Sequence, residues 1–177
     1  MMFAVNDVVC YGAQGVCRIE EVASRSFGGP ARVYYILKSL STGGATVYVP
    51  TDNEKLTARM RRILSPEEIG ELIREVCDED SVWESDENLR KAHYHELLTC
   101  GDRRALIRQI KALYRHRQEQ LKRDRRLHVC DERFLKDAER LLYDEFALVL
   151  RINPEQVLPF IMEQLPEEER KTISEKN

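Results

Sequence analysis

The apolar residues of this 177-residue chain change their periodicity once, and that change limits the folds open to it. Up to about residue 62 they come in short, β-branched runs divided by turn residues. Val8-Val9-Cys10-Tyr11 leads through Gly12-Ala13-Gln14-Gly15 into Val16-Cys17-Arg18-Ile19, and Gly28-Gly29-Pro30 breaks the chain again. Val33-Tyr34-Tyr35-Ile36-Leu37 follows, joined by Thr42-Gly43-Gly44 to Thr46-Val47-Tyr48-Val49 as a hairpin. Four or five short strands in so few residues bury their faces best as a small, strongly bent barrel of SH3-like or Tudor-like shape.

Beyond that point the spacing becomes helical. Ser65-Pro66-Glu67-Glu68 reads as a capped start with Pro at the first helical position, and Asn153-Pro154-Glu155-Gln156 repeats the device. Gly101 closes one helix and Asp102 caps the next; Asp131 is expected to cap another, with an apolar stripe of Phe134, Ala138, Leu141, Leu142 and Val149. Pro159 should end or kink the last helix, and the charged residues from Pro166 onward should not pack. The expected architecture is α+β: a β-barrel domain over residues 1–62, a bundle of about five helices over 63–165 and a flexible tail over 166–177.

With 33% charged residues and only short apolar runs, nothing in the chain could span a bilayer. The start has neither a basic nor an apolar leader region, so a cytoplasmic protein is expected. Five cysteines without a C-x-x-C pair indicate no disulfide framework. His93-x-His95 and His128-x-Cys130 do not supply the paired spacing of a zinc site. No nucleophile elbow, phosphate-binding loop or metalloprotease motif occurs. The expectation is therefore a non-enzyme with no catalytic residues, no metal, no cofactor and no small-molecule substrate. Nothing demands a dimer, and a monomer is expected.

The net charge of −3 conceals a segregation. Residues 75–87 carry seven acids and no Lys or Arg, whereas residues 103–126 hold ten Lys/Arg against Glu119 and Asp124. Arg104, Arg108, Lys111, Arg115 and Lys122 form one stripe at helical spacing, away from Leu106, Ile107, Ile110, Leu113, Tyr114 and Leu121. Such a stripe is either a solvated face or a surface for nucleic-acid phosphates. The sole tryptophan, Trp83, lies in the acidic stretch; it is either a packing anchor or an aromatic wedge against a base step.

Two regions resemble the CarD family. Residues Phe3 to Val16 look like the family opening F-x-V-G-D-x-V-V-Y-x-x-x-G-V, with Asn6 at the usual Gly, a change suited to a left-handed backbone. Tyr35-Ile36-Leu37-Lys38 and Val47-Tyr48-Val49-Pro50 resemble the strand pair that closes the family's first domain. Leu98-Thr99-Cys100-Gly101-Asp102 and the run Ala138 to Leu148 look like its helical domain, in the form of Gram-positive, clostridial-type members. The likeness covers residues 3–165.

The resemblance implies a Tudor-like domain, similar to the polymerase-interacting domain of transcription-repair coupling factor, that binds the RNA polymerase β subunit. It also implies a helical domain that meets promoter DNA at the upstream edge of the bubble and stabilises the open complex. By the same likeness Arg25, Tyr48 and Pro50 would face the polymerase, with Tyr48 standing where some members have arginine in V-R-V-P. Trp83, Arg90, Lys91 and Arg133 would join the stripe residues in facing DNA. An adaptor that binds only protein is the alternative.

Overall fold

The computed structural model describes residues 3–41, 43–77, 79 and 83–174, and the chain divides into two compact units, Met1–Ile63 with Thr99–Gly101 and the remainder. The fold class is α+β, as the change in periodicity predicts.

The first unit is a five-stranded antiparallel sheet. Its strands are β1 (Val8–Tyr11), β2 (Val16–Arg25), β3 (Arg32–Ser39), β4 (Thr46–Pro50) and β5 (Met60–Arg62), in the spatial order β4-β3-β2-β1-β5. A short helix, α1 (Glu54–Thr57), precedes β5. Alternation along the strands sends Val9, Cys17, Ile19, Tyr35, Leu37, Val49 and Met60 into one core. The register shifts between Ile19 and Glu21 within the ten-residue β2, an irregularity of the kind that bends a strand. Asn6 has φ 74°, the left-handed conformation anticipated from its place in the opening motif. The β3–β4 hairpin turns through Gly43 (φ 58°) and Gly44 (φ 75°), while Thr42 lies outside the described residues.

The second unit is helical: α2 (Pro66–Cys77), α3 (Glu87–Cys100), α4 (Arg103–Leu121), α5 (Val129–Leu150), α6 (Pro154–Gln164) and α7 (Glu167–Ser174). The capping boxes form as expected. Ser65 N donates to Glu68 Oε2 at 2.8 Å and Glu68 N to Ser65 Oγ at 3.2 Å, and at α6 Asn153 N donates to Gln156 Oε1 at 2.9 Å. Asp102 caps α4 by accepting from Ala105 N. The core joins Ile69, Ile73, Leu106, Leu113, Phe134, Ala138, Leu142 and Phe146, with Val149 packed against it.

Three expectations need correction. The cap of α5 is His128, whose Nδ1 accepts from Cys130 N at 3.3 Å; Asp131 sits one turn in and is buried. Of the two outcomes expected at Pro159, an end or a kink, an end does not occur, since α6 continues to Gln164. The tail is not unstructured throughout: residues 167–174 form α7, and Arg170 donates to the α6 carbonyl Glu163 O and to Leu165 O. Charge alone does not keep the segment from packing, because Arg170 satisfies the otherwise unpaired carbonyls at the end of α6.

Candidate functional site

In the first unit the strand register decides which side chains share a face. Residues directly opposite in an antiparallel pair point the same way. Ala23, Tyr34 and Pro50 are aligned across β2, β3 and β4; so are Glu21, Ile36 and Tyr48, and Arg25 pairs with Arg32. Arg25, Tyr48 and Pro50 therefore lie together on the face turned away from the core. Arg25 donates to Glu21 Oε2 at 2.7 Å and to its neighbour's carbonyl, Ser24 O, at 3.1 Å.

Phe27, which sequence reasoning passed over, joins this face from the β2–β3 loop. Its ring centroid is 5.4 Å from Tyr34 and 5.1 Å from Tyr48, and the tyrosines are 6.4 Å apart, all edge-to-face. The one available signal was an aromatic residue immediately before Gly28-Gly29-Pro30, a place where turns are usually polar.

In the second unit the basic stripe is not an uninterrupted cationic surface. Arg104 pairs with Glu75 at 3.0 Å and donates through Nε to Glu79 at 2.7 Å, and Arg108 meets Glu79 at 3.0 Å. Those hydrogen bonds, Arg104's above all, hold the Glu79 carboxyl below its ordinary pKa. Lys111 turns its Nζ onto backbone carbonyls at the end of α2, Val76 O at 3.5 Å and Cys77 O more closely. This is favourable for a cation at a helix C-terminus. The two oppositely charged stretches of the sequence thus partly neutralise each other, although Asp78 and Asp80 lie outside the described residues. Arg115 is half-buried. Lys122 is exposed, as are Arg123, Arg125 and Arg126 just beyond α4 and Arg133 on α5, and none of these five has an acidic partner among the described residues.

Arg90 is the clearest correction among the proposed DNA contacts. It is 8% exposed, and its Nε and Nη2 donate to the two Asp131 oxygens at 3.1 and 3.2 Å. Burial disfavours its charge, but Asp131 outweighs that and keeps the guanidinium pKa above its usual value. Tyr94 donates to the same carboxylate at 2.8 Å, and burial, then this bond, raises its phenol pKa. Arg90 is internal and engaged within the fold. Lys91 is exposed but paired with Glu87.

Trp83, whose role the sequence leaves open, is packed. Its ring stacks on His116 with centroids 3.8 Å apart and planes 13° apart, and the Arg90 guanidinium carbon lies 4.9 Å from its centre.

Among the described residues, Glu87, His128 and Cys130 bring one potential metal-donor atom each within 4.8 Å of one another. His128 Nδ1 already serves the α5 cap and Glu87 already holds Lys91, while burial, followed by Asp131, keeps the Cys130 thiol pKa up. A closed structural zinc site would need a fourth donor. A cavity of about 60 Å³ is lined mostly by aliphatic side chains, including Ile73, Val76, Ile110 and Ile161. That is small beside the roughly 300–1,000 Å³ of ordinary ligand sites.

A family model described as the CarD-like/TRCF RID domain matches residues 3–64. The N-terminal unit is similar to the domain of that family. Domains of this family are protein-interaction domains that engage RNA polymerase in transcription. The match spans the whole aromatic face and ends before α2. No helix among the described residues is long and apolar enough to cross a membrane.

Proposed function

We propose that this protein is a cytoplasmic, non-enzymatic transcription regulator that docks on the RNA polymerase β subunit through its CarD-like domain. From there its helical unit contacts promoter DNA at the upstream edge of the bubble and favours the open complex. The observation that carries the reading is the family match over residues 3–64. The clustering of Arg25, Tyr48 and Pro50 on the outer face of the sheet supports it.

The DNA contact is drawn more narrowly than the sequence suggested. Arg104, Arg108 and Lys111 are engaged within the fold, so phosphates would meet Lys122, Arg123, Arg125 and Arg126, with Arg133 as a further candidate. Backbone contacts of this kind position a protein without reading bases. A protein that binds both the free and the melted promoter complex, but the melted one better, shifts the population by that difference alone.

The same internal neutralisation favours a second reading, an adaptor on polymerase with no DNA contact. One experiment separates them: association of the full chain with core polymerase, then with a polymerase–fork-junction DNA complex across a salt series. The regulator predicts capture by polymerase and, on the DNA complex, a salt slope that flattens when the four basic residues are changed to Gln. Capture with an unaltered slope supports the adaptor. Absence of capture removes both readings.

A further inference from the structure

From the chemistry of the outer sheet face we infer that the polymerase-docking contact of this chain is an aromatic patch, Phe27, Tyr34 and Tyr48, rather than an ionic one. The inference rests on the proposed docking function and specifies the chemistry of its partner surface: an apolar patch on the polymerase that accepts aromatic rings.

The loop that presents Phe27 is built for the purpose. Gly28, at φ +82°, turns the chain in a conformation that residues with a Cβ rarely adopt, and Ser26 Oγ bonds to Gly29 O at 2.6 Å. The turn returns Phe27 onto Tyr34 and Tyr48, which stand on adjacent strands. Edge-to-face contact favours this arrangement of the three rings, which lowers the side-chain freedom to be lost on binding. Phe27 nevertheless stays 62% exposed and Tyr48 44% exposed. Beneath them Ile36, on the same face, is covered. Aromatic residues are enriched in the cores of protein–protein contacts, as arginine is, and exposed rings of this kind are candidates for such anchors.

Three of the cations on this face are already paired. Arg25 is paired with Glu21 at 2.7 Å, Arg32 with Asp52 at 3.8 Å and Lys38 with Glu20 at 3.8 Å. Docking an acidic surface here would exchange one exposed carboxylate for another, with small net gain. Removing the rings from water has no such offset. The occupant is RNA polymerase because the patch falls within the residues matched by the polymerase-interacting domain family.

The test measures affinity of the full chain for core RNA polymerase. Phe27→Ala is expected to weaken binding roughly tenfold or more, as loss of an aromatic hot spot does. Arg25→Ala should change it less than about threefold, in keeping with an exposed, already paired charge. Raising salt from about 0.1 M to about 1 M should leave wild-type affinity within about threefold, because screening acts on charges and not on apolar burial. Tyr48→Arg should weaken binding and make it salt-sensitive. Phe27 is exposed, so its removal leaves the sheet core intact, and an unchanged far-ultraviolet spectrum verifies the fold. Tight binding that collapses with salt, is lost in Arg25→Ala and survives Phe27→Ala would overturn the aromatic patch while leaving polymerase docking intact. No polymerase binding by the wild-type chain would overturn docking itself.

Discussion

Removal of the Asp131 carboxylate tests how the helical unit is held together. Asp131 is 1% exposed and accepts four hydrogen bonds, two from Arg90, one from Tyr94 and a longer one from Cys130 Sγ at 3.5 Å. Asp131→Ala leaves a buried guanidinium without its counter-charge and a buried phenol without its acceptor. Breaking a buried ion pair from one side costs about 3–5 kcal/mol. Arg90 keeps two carbonyl partners, Glu84 O at 3.2 Å and Ser85 O at 3.0 Å. Those contacts place the expected loss near the lower end, about 3 kcal/mol. Urea unfolding followed by tryptophan fluorescence is suited to the question, because the only Trp is in this unit and lies against Arg90. With a slope of about 1–3 kcal/mol/M, the midpoint should fall by about 1–3 M. The double variant Arg90→Met/Asp131→Leu should recover much of the loss, since no unpaired charge remains buried. A loss below about 1 kcal/mol for Asp131→Ala would refute the view that this pair is a desolvated, mutually dependent unit.

Further outcomes follow from other residues. Burial lowers the His116 pKa, with Glu119 opposing it, so the folded unit takes up this proton less readily than the unfolded chain. That stability contribution is present above the ordinary histidine pKa of about 6.5 and is lost as pH falls below it. Urea midpoints followed through Trp83 should decline over that range, and His116→Gln should flatten the decline; an identical profile in the variant would count against the assignment. Asn6→Ala should destabilise the β unit by about 1 kcal/mol, and Asn6→Gly should stay close to wild type, measured by thermal melting. Ser65→Ala removes one arm of the α2 capping box and should cost about 1 kcal/mol in the fluorescence-detected urea transition.

Much of the chain's local structure was legible because its causes are local. The capping boxes at Ser65 and Asn153, the restart at Gly101-Asp102 and the left-handed Asn6 each depend on residues within three or four positions. Asp131 misled for a related reason. An acid one turn inside a helix looks like a cap, and only its burial beside Arg90 shows otherwise. The basic residues from Arg104 to Arg115 fall on α4, but no local rule reveals that Glu75 and Glu79 meet Arg104 and Arg108.

The sequence by itself therefore determined the division into β and helical parts, the sites where helices begin and the family resemblance of the opening domain. Periodicity, capping and turn chemistry act over a few residues, and they survive in the order of the letters. The tertiary structure alone decided which charges are spent and which remain available. It buried Arg90 against a partner 41 positions away, bound Arg104 to acids 25 and 29 positions away, and left Lys122 and its arginine neighbours exposed. It also gathered Phe27, Tyr34 and Tyr48 from a loop and two strands into one patch. A side chain's availability depends on what the fold brings against it, and contacts so distant in sequence leave no periodic trace.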